Sequence, residues 1–313
     1  MSDRSQIQLP SAVVMVRPAG FGFNPETAAT NGFQRENTEL SQREIRLRAR
    51  REFDLMAYRL TAAGVDVCVV EDTEEPVTPD AVFPNNWISF HDDGTAVLYP
   101  MASRSRRLER RRDIIDRLTA SGYRVSRVID LSHHETEGRY LEGTGSIVFD
   151  HVNRYAYANL SLRTNAAVLT ELCHQIGYSS ITFRAVDGRG QAMYHTNVMM
   201  SIGDRFAVVC SESIPAPVER KLVIESLAAS GREIVDIDFS QLDHFAGNVL
   251  QVRTRSGGSV VAMSTQACLA FTPKQRAVME KYGKIVESPI PLIEGIEGGS
   301  ARCMLAGVHL PWA

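Results

Sequence analysis

The chain has 313 residues, of which 44% are hydrophobic and 23% charged, and its formal net charge is -3. This composition is typical of a globular protein with a large core, and the slight acidity argues against a nucleic-acid-binding protein. No apolar run approaches the ~18 residues that span a bilayer, and the N-terminal MSDRSQIQLP has no apolar signal core. Five widely spaced cysteines without a CxxC pair indicate reduced thiols. We therefore predict a cytoplasmic protein that binds neither membranes nor nucleic acids.

Strands and helices are predicted from runs of β-branched residues and from apolar spacing near 3.6. In chain order they are strand 11–16, helix 41–64, strands 66–70 and 95–99, helix 104–122, strands 123–129, 145–150 and 154–160, helix 165–177, strands 179–183, 197–202 and 205–210, helix 216–231, strands 233–238, 248–252 and 259–263, and helix 272–283. Each helix ends at or just before a glycine, as helices commonly do.

This order repeats five times with a period of roughly 60 residues, which indicates a repeated supersecondary unit. Such units can close into a ring in which each covers the edges of its neighbours, although an open α/β sandwich also fits the periodicity. No linker divides the chain, so we predict one α/β domain, 1–313, with pseudo-fivefold organisation. The long irregular segment 17–34 contains phenylalanines and is predicted to be an ordered lid.

Three residues are candidates for catalysis. Cys303 follows a glycine pair and stands beside Arg302, a cation that favours the thiolate, although a buried structural cysteine is equally open on these residues alone. His195 stands at the entrance of an apolar strand, where a packing role is the more common one. Glu142 opens another strand and, taken singly, is compatible with a surface carboxylate.

A second group of residues suits a small zwitterion. Arg106 and Arg163 stand at the starts of helices, where an arginine fork can hold a carboxylate, and Asp80 can hold an ammonium group. Asn85 and Asn86 interrupt the otherwise apolar VFPNNWISF (82–90), and amides in a buried strand need hydrogen-bond partners. These amides are therefore candidate ligand-binding residues.

The sequence gives no indication of a metal or an organic cofactor. His133, His134 and Glu135 are adjacent, but the polar residues around them indicate an exposed loop, and no HExxH or comparable spacing is present. The chain also contains no GxGxxG motif and no P-loop. We therefore expect catalysis by side chains alone.

Seven motifs occur in order over nearly the whole chain: PDAVFPNNW, SRRLE, LEGTGSIVF, SLRTN, YHTNVMM, AGNVL and GGSARCMLAG. In this combination the chain resembles the guanidino-group-modifying superfamily, which includes arginine deiminases, dimethylarginine hydrolases and amidinotransferases. Within it the chain looks most like the citrulline hydrolase branch, and RPAGFGFNPETAATNGFQ (17–34) adds to that likeness. The resemblance implies a five-bladed α/β propeller, the pentein fold, built from ββαβ units.

The resemblance also implies roles for individual residues. Cys303 matches the nucleophile, His195 the general acid/base and Glu142 the carboxylate that orients the histidine. Asp80 matches the residue that holds the substrate α-ammonium. Arg163 matches an arginine that holds the substrate carboxylate, and Arg106 is a second candidate for that role.

At three positions the chain departs from relatives that act on guanidinium groups. Asn86 and Asn197 stand where such enzymes carry acidic residues, and Ser146, whose role we could not assign, stands where Asp is usual. A carboxylate pair suits a cation, whereas amides offer both donors and acceptors and suit a neutral ureido group. They would also stabilise a developing oxyanion.

The sequence therefore predicts hydrolysis of L-citrulline to L-ornithine, ammonia and carbon dioxide through an S-carbamoyl intermediate. Three alternatives remain: a hydrolase or deiminase of arginine or methylarginine, an amidinotransferase, and a non-catalytic binding propeller. The expected partner is a small amino-acid substrate. The sequence leaves the oligomeric state open, a homodimer included.

Overall fold

The structure of the protein, a computed structural model, describes residues 8–313. Its strands are short. In chain order they are β1 (Ala12–Arg17), β2 (Asp66–Glu71), β3 (Ile88–Phe90), β4 (Thr95–Leu98), β5 (Arg127–Asp130), β6 (Val148–Asp150), β7 (Tyr155–Asn159), β8 (Ser179–Phe183), β9 (Met200–Ile202), β10 (Phe206–Val209), β11 (Glu233–Asp236), β12 (Leu250–Arg253), β13 (Ser259–Ser264), β14 (Lys284–Ser288) and β15 (Ala306–Val308).

These strands form five three-stranded sheets of one design. Their orders are β15-β1-β2, β3-β4-β5, β6-β7-β8, β9-β10-β11 and β12-β13-β14. In every sheet the middle strand pairs antiparallel with the strand named first, which is the inner strand, and parallel with the strand named last, which is the outer strand. The fivefold organisation predicted from the repeat is therefore confirmed.

A parallel pair requires a crossover, and a helix supplies it in each sheet. The crossover helices are Gln42–Ala62, Arg104–Arg107 with Asp113–Ala120, Ala166–Ile176, Pro217–Ala229 and Pro273–Glu280. The remaining helices are Pro25–Ala28, Gly143–Ser146, Thr196–Met199, Phe239–Asp243, Thr265–Ala270 and Pro291–Glu297, and the 3₁₀ turns are Pro84–Asn86, Ser132–Glu137 and Ser211–Ser213. None of the helices in residues 8–313 has the length and apolar character that crossing a membrane requires.

The longest helix illustrates how the sequence specifies these crossovers. Ser41 caps its N-terminus and forms a reciprocal capping box with Glu44, which satisfies two backbone donors. Its buried residues, spaced three or four apart, pack on the first sheet: Ile45, Ala49, Phe53, Met56, Ala57 and Leu60. The chain then leaves through Gly64, whose φ of 91° strongly favours glycine.

The sheets close into a ring because the two ends of the chain share one sheet. β15, near the C-terminus, pairs with β1, placing Ala12 opposite Val308. The inner strands contact one another in sequence, β15 with β3, β6 with β9 and β9 with β12, and β12 contacts β1. The helical turn before β6 contacts β3 and completes the series. Every residue of the inner strands β3, β6 and β9 is buried, whereas the outer strands are partly exposed to solvent.

Two kinds of boundary differ from the predictions. The predicted strands 145–150 and 197–202 begin with helical turns, Gly143–Ser146 and Thr196–Met199, and become extended only afterwards. The predicted helix 104–122 is two helices in the structure, Arg104–Arg107 and Asp113–Ala120. In the segment between them, Arg110 contacts Glu135 and Arg111 pairs with Asp113.

Candidate active site

Four of the candidate site residues lie at the same position of the repeat, in the few residues that precede an inner strand. Asn86 precedes β3, Glu142 precedes β6, His195 precedes β9 and Cys303 precedes β15. The fifth inner strand, β12, is preceded by Asn248, which sequence analysis did not identify as a site residue. Because the five strands are arranged in a ring, this repeated position brings residues from the whole chain to one place.

His195 and Glu142 form a buried pair. Nε2 of His195 lies 2.8 Å from Oε2 of Glu142, and the two residues are 2% and 1% exposed. Burial opposes ionisation of Glu142, but Arg163, whose Nη1 lies 3.5 Å away, and the hydrogen bond with His195 outweigh it and lower the pKa of Glu142 to about 2. Burial lowers the pKa of His195 to about 4 against the opposing effect of Glu142. At neutral pH the imidazole is therefore an uncharged base oriented by an ionised carboxylate.

Two amides contact the thiol of Cys303. Nδ2 of Asn248 lies 3.3 Å from Sγ, and Nδ2 of Asn197 lies 3.5 Å from it. Asn248 is fixed by backbone groups on both sides, since it accepts from the N–H of Arg302 and donates to the carbonyl of Asn197. Both amides thus supply donors to a sulfur that becomes negatively charged when it acts as a nucleophile. The signal that could have found Asn248 is its place in AGNVL, at the start of the fifth inner strand.

Arg106 fixes the orientation of Asn86. Nη1 of Arg106 donates to Oδ1 of Asn86 at 2.7 Å, so the amide turns its N–H groups the other way. One of these donates to Oδ1 of Asn85 at 3.1 Å, and Asn85 in turn donates to Oγ1 of Thr144. Asn86 lines the same small cavity as Cys303 and His195, whereas Asn85 lies behind it as a support.

Arg106 is itself largely engaged. Its Nε and Nη2 donate to the two oxygens of Glu109 at 3.0 and 2.9 Å, and Nη2 also reaches the carbonyl of Phe83. A guanidinium has five N–H groups, so these bonds together with the bond to Asn86 leave one on Nη1. The contacts that Arg106 makes in the structure are those of a residue that orients Asn86. Binding of a substrate carboxylate by Arg106 stays a prediction.

The segment predicted to be a lid contributes residues to the wall of the cavity. Arg163 donates to Oγ1 of Thr30 and to the carbonyl of Thr27, while Nδ2 of Asn24 contacts Asp80. Asn31 and Gln34, from the same segment, line the cavity wall. Arg163 and Asp80, the residues expected to hold the two ends of a zwitterion, therefore both contact segment 17–34, and their roles toward substrate stay predictions.

Ser146, which had no assigned role, has a structural one. Its hydroxyl accepts from the backbone N–H of Glu142 and donates to the carbonyl of Arg163. The turn also depends on Gly143, which has a φ of 47°, and a Cβ there would lie 2.3 Å from the carbonyl oxygen of Asn85. This turn therefore positions Glu142 without contacting the cavity.

The histidine motif lies apart from these residues. His134 is paired with Glu171 at 2.8 Å, and Glu135 contacts Arg110 and the backbone of Met101. The ligand atoms of His133, His134 and Glu171 lie within 4.8 Å of one another. None of these residues lines the cavity at Cys303.

The comparisons with known proteins agree with this architecture. The N-terminal domain of ArgZ, an arginine dihydrolase from the ornithine–ammonia cycle in cyanobacteria, solved as a cysteine-to-serine mutant bound to substrate, has a TM-score of 0.71 at 16% identity. The match covers 95% of this chain and 97% of that domain, but only 41% of the full-length ArgZ chain. AgrE in complex with L-arginine has a TM-score of 0.72 at 17% identity, covering 95% of this chain and 40% of that one.

A third solved structure, a dimethylarginine dimethylaminohydrolase adduct with S-methyl-L-thiocitrulline, has a TM-score of 0.63 at 15% identity. The match covers 96% of this chain and the whole of that chain. At these identities the likeness shows the fold, and the predicted pentein fold is confirmed. No curated protein sequence matches the chain.

The family assignment comes from the sequence as a whole. A family model described as N,N dimethylarginine dimethylhydrolase, eukaryotic, matches residues 17–310, which is nearly the entire chain. The match includes Asp80, Glu142, His195 and Cys303. The chain therefore belongs to the N,N dimethylarginine dimethylhydrolase family, a family of hydrolases within the guanidino-group-modifying superfamily.

Proposed function

We propose that the protein is a cysteine-dependent hydrolase that converts L-citrulline to L-ornithine, ammonia and carbon dioxide. Its family is one of hydrolases that act on C–N bonds of amidino groups, and the same attack on a planar carbon serves a ureido group. Cys303, His195 and Glu142 line or support one buried cavity, as a nucleophile, a base and the base's orienting group require. The question is then which planar group the cavity favours.

The hydrogen bond from Arg106 to Asn86 is the observation that favours a ureido group over a guanidinium group as the substrate. Because Oδ1 of Asn86 is directed at Arg106 and one N–H is bound to Asn85, the side chain presents its second N–H, a donor, to a ligand. A guanidinium presents N–H donors on every side and would meet donors there, whereas a ureido group presents a carbonyl oxygen. An aspartate at this position would be drawn to Arg106 but would keep acceptor oxygens for a guanidinium.

The reaction can be written with the residues in place. His195 takes the proton of Cys303, and the thiolate attacks the ureido carbon. The oxygen of the tetrahedral intermediate accepts a hydrogen bond from the remaining N–H of Asn86. Imidazolium then gives its proton to the terminal nitrogen, which leaves as ammonia and leaves the carbamoyl group on sulfur.

Water completes the cycle. Neutral His195 removes a proton from a water molecule that attacks the S-carbamoyl carbon, and the thiolate leaves as the S–C bond breaks. The product is the carbamate of ornithine, which loses carbon dioxide spontaneously to give the free amine. The net reaction consumes one water, the one that attacks the S-carbamoyl carbon, and needs no redox partner.

A second candidate is hydrolysis of arginine or methylated arginine. It is favoured by the family description and by the arginine-bound and substrate-bound structures of AgrE and ArgZ. Attack by Cys303 on a guanidinium carbon would follow the same steps and yield citrulline in the first cycle. Neither an amidinotransferase nor a non-catalytic propeller receives comparable support.

Product analysis separates the two candidates. Purified protein would be incubated separately with L-citrulline, L-arginine and asymmetric dimethylarginine, and ornithine, citrulline and ammonia would be quantified, with Cys303→Ala as the control. We expect ornithine and ammonia from citrulline alone, and none from the variant. Citrulline formed from arginine or dimethylarginine, with no turnover of added citrulline, would establish the guanidino hydrolase instead.

A further inference from the structure

A second cavity lies between the inner strands of the ring. It has a volume of about 50 Å³ and shares no lining residue with the cavity at Cys303. All five inner strands contribute to its wall, with Ser89 from β3, Phe149 from β6, Ser201 from β9, Gln251 from β12 and Gly307 from β15. The cavity therefore lies on the axis of the ring, and its volume is enough for about three to five waters or for one small ion.

Arg302 gives this cavity a permanent positive charge. It directly precedes Cys303 in the chain, but the two side chains line different cavities. Nη1 of Arg302 donates to the carbonyl of Leu305 at 2.8 Å, and the guanidinium forms no ion pair with a carboxylate of residues 8–313. Burial lowers the pKa of Arg302, an effect that a carboxylate would normally offset. A buried cation without a counterion is costly, so the cavity is suited to an anion.

His91, which lines the cavity, has one nitrogen without a partner. Its Nε2 lies 2.9 Å from Oγ of Ser89, and that oxygen lies 2.7 Å from the hydroxyl of Tyr99. The buried proton of Tyr99 has an acceptor only if Tyr99 donates to Ser89 and Ser89 donates to Nε2. Burial lowers the pKa of His91 to about 4, so the imidazole is neutral at pH 7 and we assign its proton to Nδ1. Nδ1 is buried and has no partner in the part of the chain that the structure describes, so it is a free donor.

His151 and Ser201 add further donors to the wall. Nδ1 of His151 lies 2.8 Å from the hydroxyl of Tyr178, which accepts from Arg154. Tyr178 therefore donates to Nδ1, and the proton of this neutral imidazole lies on Nε2. The hydroxyl of Ser201, a residue only 6% exposed, has no partner among the described residues. No carboxylate of this part of the chain lines the cavity, so its free polar groups are chiefly donors.

We propose that this cavity binds a small planar oxyanion with a single negative charge, held by Arg302, Ser201 and the free N–H of His91. A guanidinium fork matches two oxygens of such an ion, and the bond to Leu305 uses only one of its five N–H groups. The bound anion offsets the charge of Arg302, which favours the thiolate of the adjacent Cys303. Occupancy of the cavity therefore slows the reactions of Cys303, whichever substrate the active site takes.

The test is the rate at which iodoacetamide alkylates Cys303, followed by mass spectrometry of the peptide that contains it. The assay needs no substrate, so it is independent of the proposed function. Nitrate is the probe because it is planar and singly charged, and gluconate, which is too large for the cavity, keeps the ionic strength constant. We expect nitrate to slow alkylation roughly tenfold along a saturable curve, because the thiolate fraction falls. A rate that is independent of nitrate would overturn the proposal.

Two variants locate the anion. Ser201→Ala removes a hydroxyl that has no protein partner, so we expect it to fold as the wild type does and to need roughly tenfold more nitrate for half of the effect. Arg302→Gln should abolish the response to nitrate. Ser213→Ala is the matched control, because Ser213 is also buried but does not line the cavity, and its response should equal that of wild type. An unchanged response in Ser201→Ala would mean that nitrate acts at another site and that the proposal is wrong.

Calorimetry measures the binding directly. Nitrate would be titrated into wild type, Ser201→Ala and Ser213→Ala in gluconate buffer. We expect one nitrate per chain in wild type and in the control, and binding weakened roughly tenfold in Ser201→Ala. Absence of saturable binding to wild type, or equal affinity in all three proteins, would contradict an oxyanion site on the ring axis.

Discussion

Arg106 and Asn86, twenty residues apart in the chain, are joined by a buried hydrogen bond of 2.7 Å that decides which atoms of the amide face the cavity. Arg106 is in turn held by the carboxyl group of Glu109, so the orientation of Asn86 is set by two side chains that are themselves buried. Reversal of the amide would place its N–H groups against a guanidinium that has no acceptor, which is unfavourable. The amide is therefore preorganised as a donor.

Substitution of Asn86 by Asp should move the substrate preference toward a cation. The carboxylate would add an acceptor and a negative charge beside the reacting group, favouring guanidinium over ureido substrates. We expect kcat/KM for citrulline to fall by roughly a hundredfold, the loss of one oxyanion donor, and the ratio of arginine to citrulline turnover to rise. Asn165→Asp is the control, because Asn165 caps Ala166–Ile176 and Asp caps equally well. An unchanged ratio would argue against the role of Asn86.

Removal of the Asn248 amide should slow the reaction of the thiol. Asn248→Ala deletes the donor 3.3 Å from Sγ of Cys303. This hydrogen bond stabilises the thiolate more than the neutral thiol, so its loss makes the thiolate harder to form. We expect roughly tenfold slower alkylation by iodoacetamide at pH 7 and a similar fall in kcat, a typical cost for a bond to a charged group. Asn153→Ala is the control, because Asn153 lies in the turn between β6 and β7 and does not line the cavity. Alkylation at the wild-type rate would place Asn248 among purely structural residues.

The buried imidazole should make stability depend on pH. The pKa of His195 is about 4 in the folded protein and close to 6.5 in the unfolded chain, so between these values the unfolded state binds more protons. Stability therefore decreases as pH falls from 7 to 5, and this one group accounts for about 2 kcal/mol of the decrease. Urea unfolding of wild type and His195→Gln at both pH values checks this. An equal decrease in both proteins would show that His195 does not carry it.

A methyl group at Gly145 should disturb the cavity directly. A Cβ there would lie 2.5 Å from Nδ2 of Asn86 and 2.7 Å from Nδ1 of His195, closer than side chains tolerate. We expect Gly145→Ala to lower kcat by a hundredfold or more and to cost about 1–3 kcal/mol of stability. Gly295→Ala is the matched control, because no atom lies within 4 Å of its added methyl. It should leave kcat unchanged, and equal effects of both substitutions would refute the steric argument.

Segment 17–34 should open for substrate to enter. With the segment in its present position the cavity has a volume of about 20 Å³, enough for one or two waters and far too small for an amino acid. Hydrogen exchange of Cys303→Ala would be followed with and without citrulline. We expect peptides covering 24–34 to exchange more slowly with ligand, since the closed contacts of Arg163 with Thr27 and Thr30 would then persist longer. Exchange unaffected by a bound ligand would mean that the segment is not a lid.

The sequence alone predicted the features that repeat or that form local motifs. Apolar spacing and terminal glycines located the helices Gln42–Ala62, Ala166–Ile176 and Pro217–Ala229 within two residues, because helix periodicity and capping are local. The repeat predicted five units for the same reason. The motifs around Glu142, His195 and Cys303 predicted a family that the full-length match then showed.

The tertiary structure decided what depends on contacts between distant segments. Asn248 reaches Cys303 across 55 residues, and Glu297 meets Gln34 across 263, so no local pattern marks either as part of the site. The orientation of Asn86 likewise depends on Arg106 and Glu109, which the sequence presents only as part of a basic run. Local propensity acts over a few residues, whereas the hydrogen bonds that orient the amide of Asn86 and join Gln34 to Glu297 arise only when the five sheets close into a ring.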